Sequence, residues 1–87
     1  MLESKIQSGI IKKLELQGYF VIKLIATNKN GIADILALKN GKAIFIEVKQ
    51  PTGVLSELQK LRIKQLTDLG FECKVWIDYE CDFMLKN

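Results

Sequence analysis

The start of the chain repeats an apolar residue at every fourth position. This spacing predicts a helix over residues 2–17, whose apolar stripe comprises Leu2, Ile6, Ile10, Ile11 and Leu14. Glu3 falls inside this stripe and not on the solvated side. Two interpretations remain open: its carboxylate suits the positive end of the helix dipole, or it points inward towards the sheet. Gly18 fits the position just after the helix.

Three later stretches carry the β-branched and aromatic residues that favour strands. Residues 19–26 predict one strand, residues 31–49 predict two strands joined at Asn40-Gly41, and residues 71–77 alternate as a fourth. The polar turn at 27–31 contains Lys29, which either contacts a phosphate or is simply solvated. These strands, with the two helices, predict a mixed four-stranded sheet in the order 1-2-3-4, with the fourth strand parallel to the third.

The dipeptide Asn40-Gly41 predicts a two-residue hairpin turn, because both central residues of a type I′ turn need positive φ. Such a turn fixes the register of the two strands. The expected opposed pairs are Leu38 and Ala43, Leu36 and Phe45, Asp34 and Glu47, and Ile32 and Lys49. The register therefore places two carboxylates side by side on an otherwise apolar face, which is unfavourable unless one carries a proton or a cation lies between them. If the register is wrong, Asp34 and Glu47 are strand-end residues in solvent.

A second helix is predicted over residues 57–69. Ser56 is a good N-cap, and Gln59 at the third helical position completes a capping box; Gly70 ends the helix. The apolar side comprises Leu58, Ile63, Leu66 and Leu69, and Gln59 and Arg62 project on that same side. Gln59 is then either a capping residue alone or one that also faces the acids.

The composition restricts the possible chemistry. The chain has 87 residues, enough for a single domain over residues 1–87, and a net charge of +3 with a pI near 8.9, which permits a nucleic-acid partner. It has no histidine and two cysteines, Cys73 and Cys81, without a Cys-x-x-Cys motif. This argues against zinc and against a disulfide framework, and it excludes histidine-based triads. Catalysis would have to come from carboxylates, lysine and a metal ion. No secretion signal or membrane span is expected, so a cytoplasmic location, in a bacterium or a phage-infected cell, fits the chain.

The candidate chemistry follows a recognisable order along the chain. Glu3 on the first helix precedes Gly31-Ile32-Ala33-Asp34, then Glu47-Val48-Lys49, then Ser56-x-x-Gln59. An acid on one strand followed by Glu-x-Lys at the end of the next resembles the PD-(D/E)xK nucleases. Within that superfamily the chain resembles the VRR-NUC domain, the virus-type replication-repair nuclease, over nearly its whole length. Ala33 stands where the superfamily name has proline.

The resemblance implies an α+β fold, the restriction-endonuclease-like α-β-β-β-α-β core, and a metal-dependent DNA endonuclease. Asp34 and Glu47 would bind Mg²⁺ or Mn²⁺, with the Val48 carbonyl and Glu3 as further ligands. Lys49 would orient the attacking water or neutralise transition-state charge, and Gln59 would position the water or Lys49. Standalone domains of this family are close in size to Holliday junction resolvases. The expected substrate is therefore branched DNA, cut by a homodimer.

Other interpretations stay open at this stage. The chain could be a nucleic-acid-binding module without activity, or a nuclease on flaps or single strands. Lys49 could form only an exposed ion pair with Glu47. We expect Trp76 and Phe83 to lie in the core or a dimer contact rather than to stack on bases. The apolar residues of the tail, Phe83, Met84 and Leu85, suggest that residues 78–87 pack somewhere, on this chain or a partner chain.

Overall fold

The computed structural model describes residues 3–77 of the 87-residue chain. Its elements are α1 (Glu3–Leu16), β1 (Phe20–Lys23), β2 (Ile35–Lys39), β3 (Lys42–Val48), α2 (Glu57–Asp68) and β4 (Glu72–Trp76). This is the predicted order of a helix, three strands, a helix and a strand. The expectations for the tail, Cys81 and Phe83 included, lie outside the described residues.

The four strands form one mixed sheet in the order β1-β2-β3-β4. Strands β1, β2 and β3 pair antiparallel, and β4 pairs parallel to β3 after the crossover through α2. The predicted α+β fold and strand order are therefore confirmed. No helix within residues 3–77 combines the length and the apolar character needed to cross a membrane.

The β2–β3 hairpin has the predicted turn and register. Asn40 and Gly41 have φ values of 52° and 75°, which a type I′ turn requires. Opposed pairs along the ladder include Leu38 with Ala43 and Leu36 with Phe45. The short turn thus fixes which side chains share a face.

The register changes at the open end of the hairpin. The ladder stops at the pair Ile35 and Ile46, and the backbone N–H of Asp34 donates to the Ile46 carbonyl at 3.1 Å. Asp34 therefore lies at a bend just before β2 and is not part of the ladder. The predicted pairing of Asp34 with Glu47 in the ladder is therefore wrong.

Lys49 pairs with β4 and not with β2. Its backbone N–H donates to the Trp76 carbonyl at 3.0 Å, so the predicted pairing of Ile32 with Lys49 is wrong. The physical reason is that the chain before Asp34 has already left the sheet. The end of β3 is consequently held by the parallel partner strand.

Strand β1 is shorter than predicted. It ends at Lys23, and the backbone N–H of Leu24 donates to the Asp34 carbonyl at 2.8 Å. Residues 24–26 were expected to continue the strand, but they begin a loop whose two ends are joined by this bond. The apolar character of Ile25 suggested a strand, yet its side chain is exposed.

Helix α1 covers one face of the sheet and forms the core. The buried side chains of the helix are Ile6, Ile10 and Leu14, and those of the sheet are Ile35, Ala37, Ile44, Ile46, Val48 and Trp76. Each large aliphatic side chain so buried stabilises the fold by about 1.5–3 kcal/mol. The core expectation for Trp76 is confirmed, and Gly18 follows the helix as predicted.

Helix α2 lies on the opposite face and covers it less completely. None of its residues is fully buried. Leu69, predicted on its apolar side, is 72% exposed, because it is the C-cap residue and lies past the last turn that faces the sheet. This face therefore stays partly open, and it is the face that carries the acidic residues.

Candidate metal-binding site at the open end of the hairpin

Asp34 and Glu47 come together where the hairpin opens. The carboxylate oxygen Oδ2 of Asp34 accepts a hydrogen bond from the backbone N–H of Val48 at 2.8 Å, which replaces the next bond of the ladder. When Glu47 carries a proton, its carboxyl group also donates a hydrogen bond to the side chain of Asp34. The bend before β2 thus turns Asp34 towards β3 and brings the two predicted acids into contact.

Glu47 is the only buried charged or polar residue among residues 3–77, with 3% of its surface exposed. Burial, the hydrogen bond with Asp34 and the negative charge of Asp34 together raise the pKa of Glu47 from 4.5 to about 8. Lys49 lowers this pKa and Glu3 raises it, both through their charges. At neutral pH the metal-free pair therefore favours one shared proton.

Glu3 and Lys49 complete the charged surroundings of the pair. Glu3 lies in the first turn of α1 and is close enough to affect the pKa of Glu47. Its half-buried position agrees with the inward orientation considered from the sequence. Lys49, also half-buried, immediately follows β3. The structure thus brings Glu3, Asp34, Glu47 and Lys49 near one another from three separate parts of the chain: the start of α1, the bend before β2 and the end of β3.

Gln59 reaches the pair from α2. Its Nε2 donates to Glu47 Oε1 at 3.2 Å, while its Oε1 accepts from the backbone N–H of Ser56 at 2.9 Å. Ser56 Oγ in turn accepts from the backbone N–H of Gln59 at 3.1 Å. The predicted capping box is therefore present, and the same side chain also contacts the acids.

The donor set fits a hard divalent cation. Two carboxylates in contact at a buried position are destabilised by their own charge, and a cation between them removes that conflict. Mg²⁺ takes few protein carboxylates and keeps several waters, so Asp34 and Glu47 suffice. No cluster of three or more Asp, Glu, Cys or His side chains arranged to hold a metal occurs within residues 3–77. The carbonyl of Val48 and the carboxylate of Glu3 remain predicted ligands.

A pocket of about 310 Å³ adjoins Asp34. The loop that follows β1 forms most of its wall, and sequence reasoning described this segment only as a strand end and a polar turn. Its position depends on a contact that has no local sequence signal: Arg62 Nε donates to the Asn30 carbonyl at 2.8 Å. The polar run at 27–31 was the one feature that could have indicated the pocket.

Comparison with known proteins agrees with this geometry. The model of the VRR-NUC domain family matches residues 11–76, well over half of the chain. The chain belongs to the VRR-NUC family. The match includes Asp34, Glu47, Lys49 and Gln59, whereas Glu3 lies before its first residue.

A solved structure named "VRR_NUC domain" has the same fold. The two chains superpose with a TM-score of 0.87 at 23% sequence identity, over 98% of this chain and 95% of the other. No curated protein matches the chain. Membership of the VRR-NUC family makes the chain a nuclease-type domain, and such a domain implies a DNA substrate. VRR-NUC and related nuclease domains generally depend on divalent metal ions.

Proposed function

We propose that this VRR-NUC domain is a metal-dependent DNA endonuclease that hydrolyses phosphodiester bonds. The observation that carries the proposal is the contact between Asp34 and Glu47, at a buried position where burial and the neighbouring charge raise the pKa of Glu47 to about 8. A site that holds two acids at this cost is typical of function rather than of stability.

The residues have separate tasks in this proposal. Asp34 and Glu47 hold Mg²⁺ or Mn²⁺, and the Val48 N–H fixes the orientation of the Asp34 carboxylate. When bound, a divalent ion supplies Lewis acidity towards a phosphate oxygen and towards water. Lys49 places a positive charge beside the phosphate as negative charge develops. Gln59 fixes the rotamer of Glu47, and Glu3 adds negative charge that strengthens cation binding.

The first experiment measures cleavage of labelled DNA. Four-way junction, flap, single-stranded and linear duplex substrates are incubated with Mg²⁺, with Mn²⁺ or with EDTA. We expect metal-dependent cleavage by the wild type and a loss of about a thousandfold or more in Asp34→Asn and Glu47→Gln proteins. The matched control is Glu15→Gln, an exposed acid of α1, which should cleave at the wild-type rate. Cleavage by the Asp34→Asn and Glu47→Gln proteins at the wild-type rate would refute the proposal.

We further propose that the preferred substrate is a four-way junction and that the active form is a homodimer. Two sites related by a two-fold axis would cut two strands of a junction, and a chain of 87 residues gains core area by pairing. The partly open sheet face supports pairing. Phe20 is 68% and Ile22 is 37% exposed, and Ile22 lies in the same cross-strand row as Leu36.

The oligomeric state is tested by light scattering after size-exclusion chromatography. We expect the wild type to have twice the mass of one chain and a Phe20→Glu protein to have the mass of one. The wild type should make paired nicks on the junction, and the Phe20→Glu protein should make single nicks. A monomeric wild type that still makes paired nicks would refute the dimer and leave the nuclease proposal intact.

A non-catalytic binding module is the alternative. It predicts salt-dependent junction binding with no product on any substrate in either metal. The raised pKa of Glu47 argues against it, since a binding module has no need of a destabilised acid pair.

A further inference from the structure

The pocket beside Asp34 is formed by one loop and reaches one member of the acid pair. Residues 24–27 and 29–32 line it together with Asp34. Its volume of about 310 Å³ is at the lower end of the range for small-ligand sites, which begins at about 300 Å³. Because Asp34 belongs to both the pocket and the acid pair, whatever occupies the pocket lies next to the proposed metal site.

The loop holds its shape through bonds at its base and its tip. At the base, the N–H of Leu24 donates to the carbonyl of Asp34 at 2.8 Å. At the tip, Thr27 Oγ1 lies 2.9 Å from the Lys29 carbonyl oxygen and 3.3 Å from the Lys29 backbone nitrogen. These contacts make a compact turn that presents Lys29, so the pocket is largely formed before any ligand arrives.

Helix α2 supports the outer side of the same loop. Arg62 Nε binds the Asn30 carbonyl at 2.8 Å. Gly31, with φ of +78°, packs so closely on Leu58 that a Cβ atom there would lie 2.7 Å from Leu58 Cγ. Since Gln59 of this helix contacts Glu47, one helix positions both the pocket wall and the acid pair.

The charges of the wall indicate the chemistry of the occupant. The charged lining residues are Lys29 and Asp34. The Lys29 ammonium and a cation held at Asp34, as the proposed function requires, would both attract phosphate oxygens, and the other lining residues are uncharged. This lining suits a phosphate group. Because Asp34 also belongs to the proposed metal site, a nucleotide next to the cleaved bond can reach the pocket.

We propose that this pocket binds one nucleotide of the DNA strand, adjacent to the scissile phosphate, and that Lys29 binds the phosphate of that nucleotide. The inference rests on the proposed nuclease function and adds a strand-positioning contact to it. Lys29 then sets where the strand lies relative to Asp34, while the acid pair and Lys49 act on the neighbouring phosphate.

The test is a phosphate-by-phosphate coupling measurement with the full chain. Ca²⁺ replaces Mg²⁺ so that binding is measured without cleavage, on the branched substrate that the wild type binds most tightly. Each phosphate near the branch is replaced in turn by a neutral methylphosphonate, and Kd is measured by fluorescence anisotropy. The variants are Lys29→Ala and a matched control, Lys12→Ala, which removes an exposed lysine of α1.

We expect one methylphosphonate position to weaken wild-type and Lys12→Ala binding about threefold to tenfold. The same substitution should leave Lys29→Ala binding unchanged, because the partner of that phosphate is already absent. The slope of log Kd against log salt should fall by about 1 in the Lys29→Ala protein only. Equal sensitivity of the Lys29→Ala and wild-type proteins at every position would overturn the inference.

A parallel cleavage assay of the wild type in Mg²⁺ separates the two proposals. Cleavage without coupling at Lys29 overturns the pocket assignment and leaves the nuclease proposal standing. Coupling at Lys29 without cleavage refutes the nuclease proposal and, with it, the position beside a scissile phosphate, and leaves only a DNA contact at Lys29. Failure to bind any of the DNA substrates overturns both.

Discussion

The side-chain amide of Gln59 donates to the carboxylate of Glu47, with 3.2 Å between Nε2 and Oε1. The other atom of that amide, Oε1, accepts from the backbone N–H of Ser56. One side chain therefore ties the start of α2 to the acid pair. Gln59 both caps α2 and contacts Glu47, so the effects of these two contacts have to be separated by substitution.

Two substitutions separate these effects. A Gln59→Glu protein keeps an acceptor for the Ser56 N–H, as capping boxes allow, but places a carboxylate against Glu47. We expect normal stability below neutral pH and cleavage reduced about tenfold to a hundredfold. A Ser56→Ala protein should lose about 1 kcal/mol of stability and keep its cleavage rate. Urea unfolding and initial rates measure both, and the opposite pattern would show that Gln59 acts only as a cap.

The pH dependence of stability should report on Glu47. Its pKa is about 8 in the folded protein against 4.5 as the ordinary value. Between these pH values the folded chain keeps a proton that the unfolded chain has released. The contribution of Glu47 to the free energy of unfolding of metal-free protein should therefore be fully present below pH 4.5 and fall, by up to about 1.4 kcal/mol per pH unit, until the pH passes about 8.

Trp76, the single tryptophan and fully buried, gives a fluorescence signal for urea unfolding at each pH. A Glu47→Gln protein should lack this decline, because an amide does not titrate. Mg²⁺ should stabilise the wild type more at high pH, where both carboxylates are charged and free of protons. A wild type as stable at pH 9 as at pH 5 without metal would contradict the assignment of Glu47 as the proton holder.

Lys49 should contribute to cleavage but should not be needed for binding of the metal ion. We expect a Lys49→Met protein to lose about a hundredfold or more in cleavage rate while still being stabilised by Mg²⁺. Since Lys49 lowers the pKa of Glu47, its removal should also move the pH profile of cleavage to higher pH. Lys42→Met, at an exposed position next to the hairpin turn, is the control. An unchanged rate in the Lys49→Met protein would reduce Lys49 to an ion-pair partner.

Gly31 and Gly41 form a matched pair for testing the loop. Both have positive φ, 78° and 75°, so an alanine is strained by about 1 kcal/mol or more at either position. A Cβ at Gly31 would also lie 2.7 Å from Leu58 Cγ, whereas nothing lies within 4 Å at Gly41. We expect Gly31→Ala to be the more destabilising substitution in urea unfolding. Adding Leu58→Ala to the Gly31→Ala protein should remove the part of the loss that comes from the clash. Equal losses would mean that the loop does not press on α2.

The sequence by itself determined the hairpin and the helices. Asn40-Gly41 fixes the turn, and the turn fixes the pairing of Leu36 with Phe45, because a two-residue connection leaves no freedom in register. The capping box at Ser56 and the apolar stripe of α1 are likewise local signals. From this register alone, Asp34 and Glu47 were expected on one face, and the structure brings them into contact.

The tertiary structure decided those features that depend on long-range contacts. The Asp34 carboxylate takes the N–H of Val48 and so ends the ladder early, and Leu24 bonds to Asp34 and so shortens β1. The pocket exists because Arg62 and Leu58 hold the loop at Asn30 and Gly31. These contacts join residues far apart in the chain, so no local pattern encodes them. The sequence therefore determined which acids meet, and the packing of α2 decided how they are held and what space lies beside them.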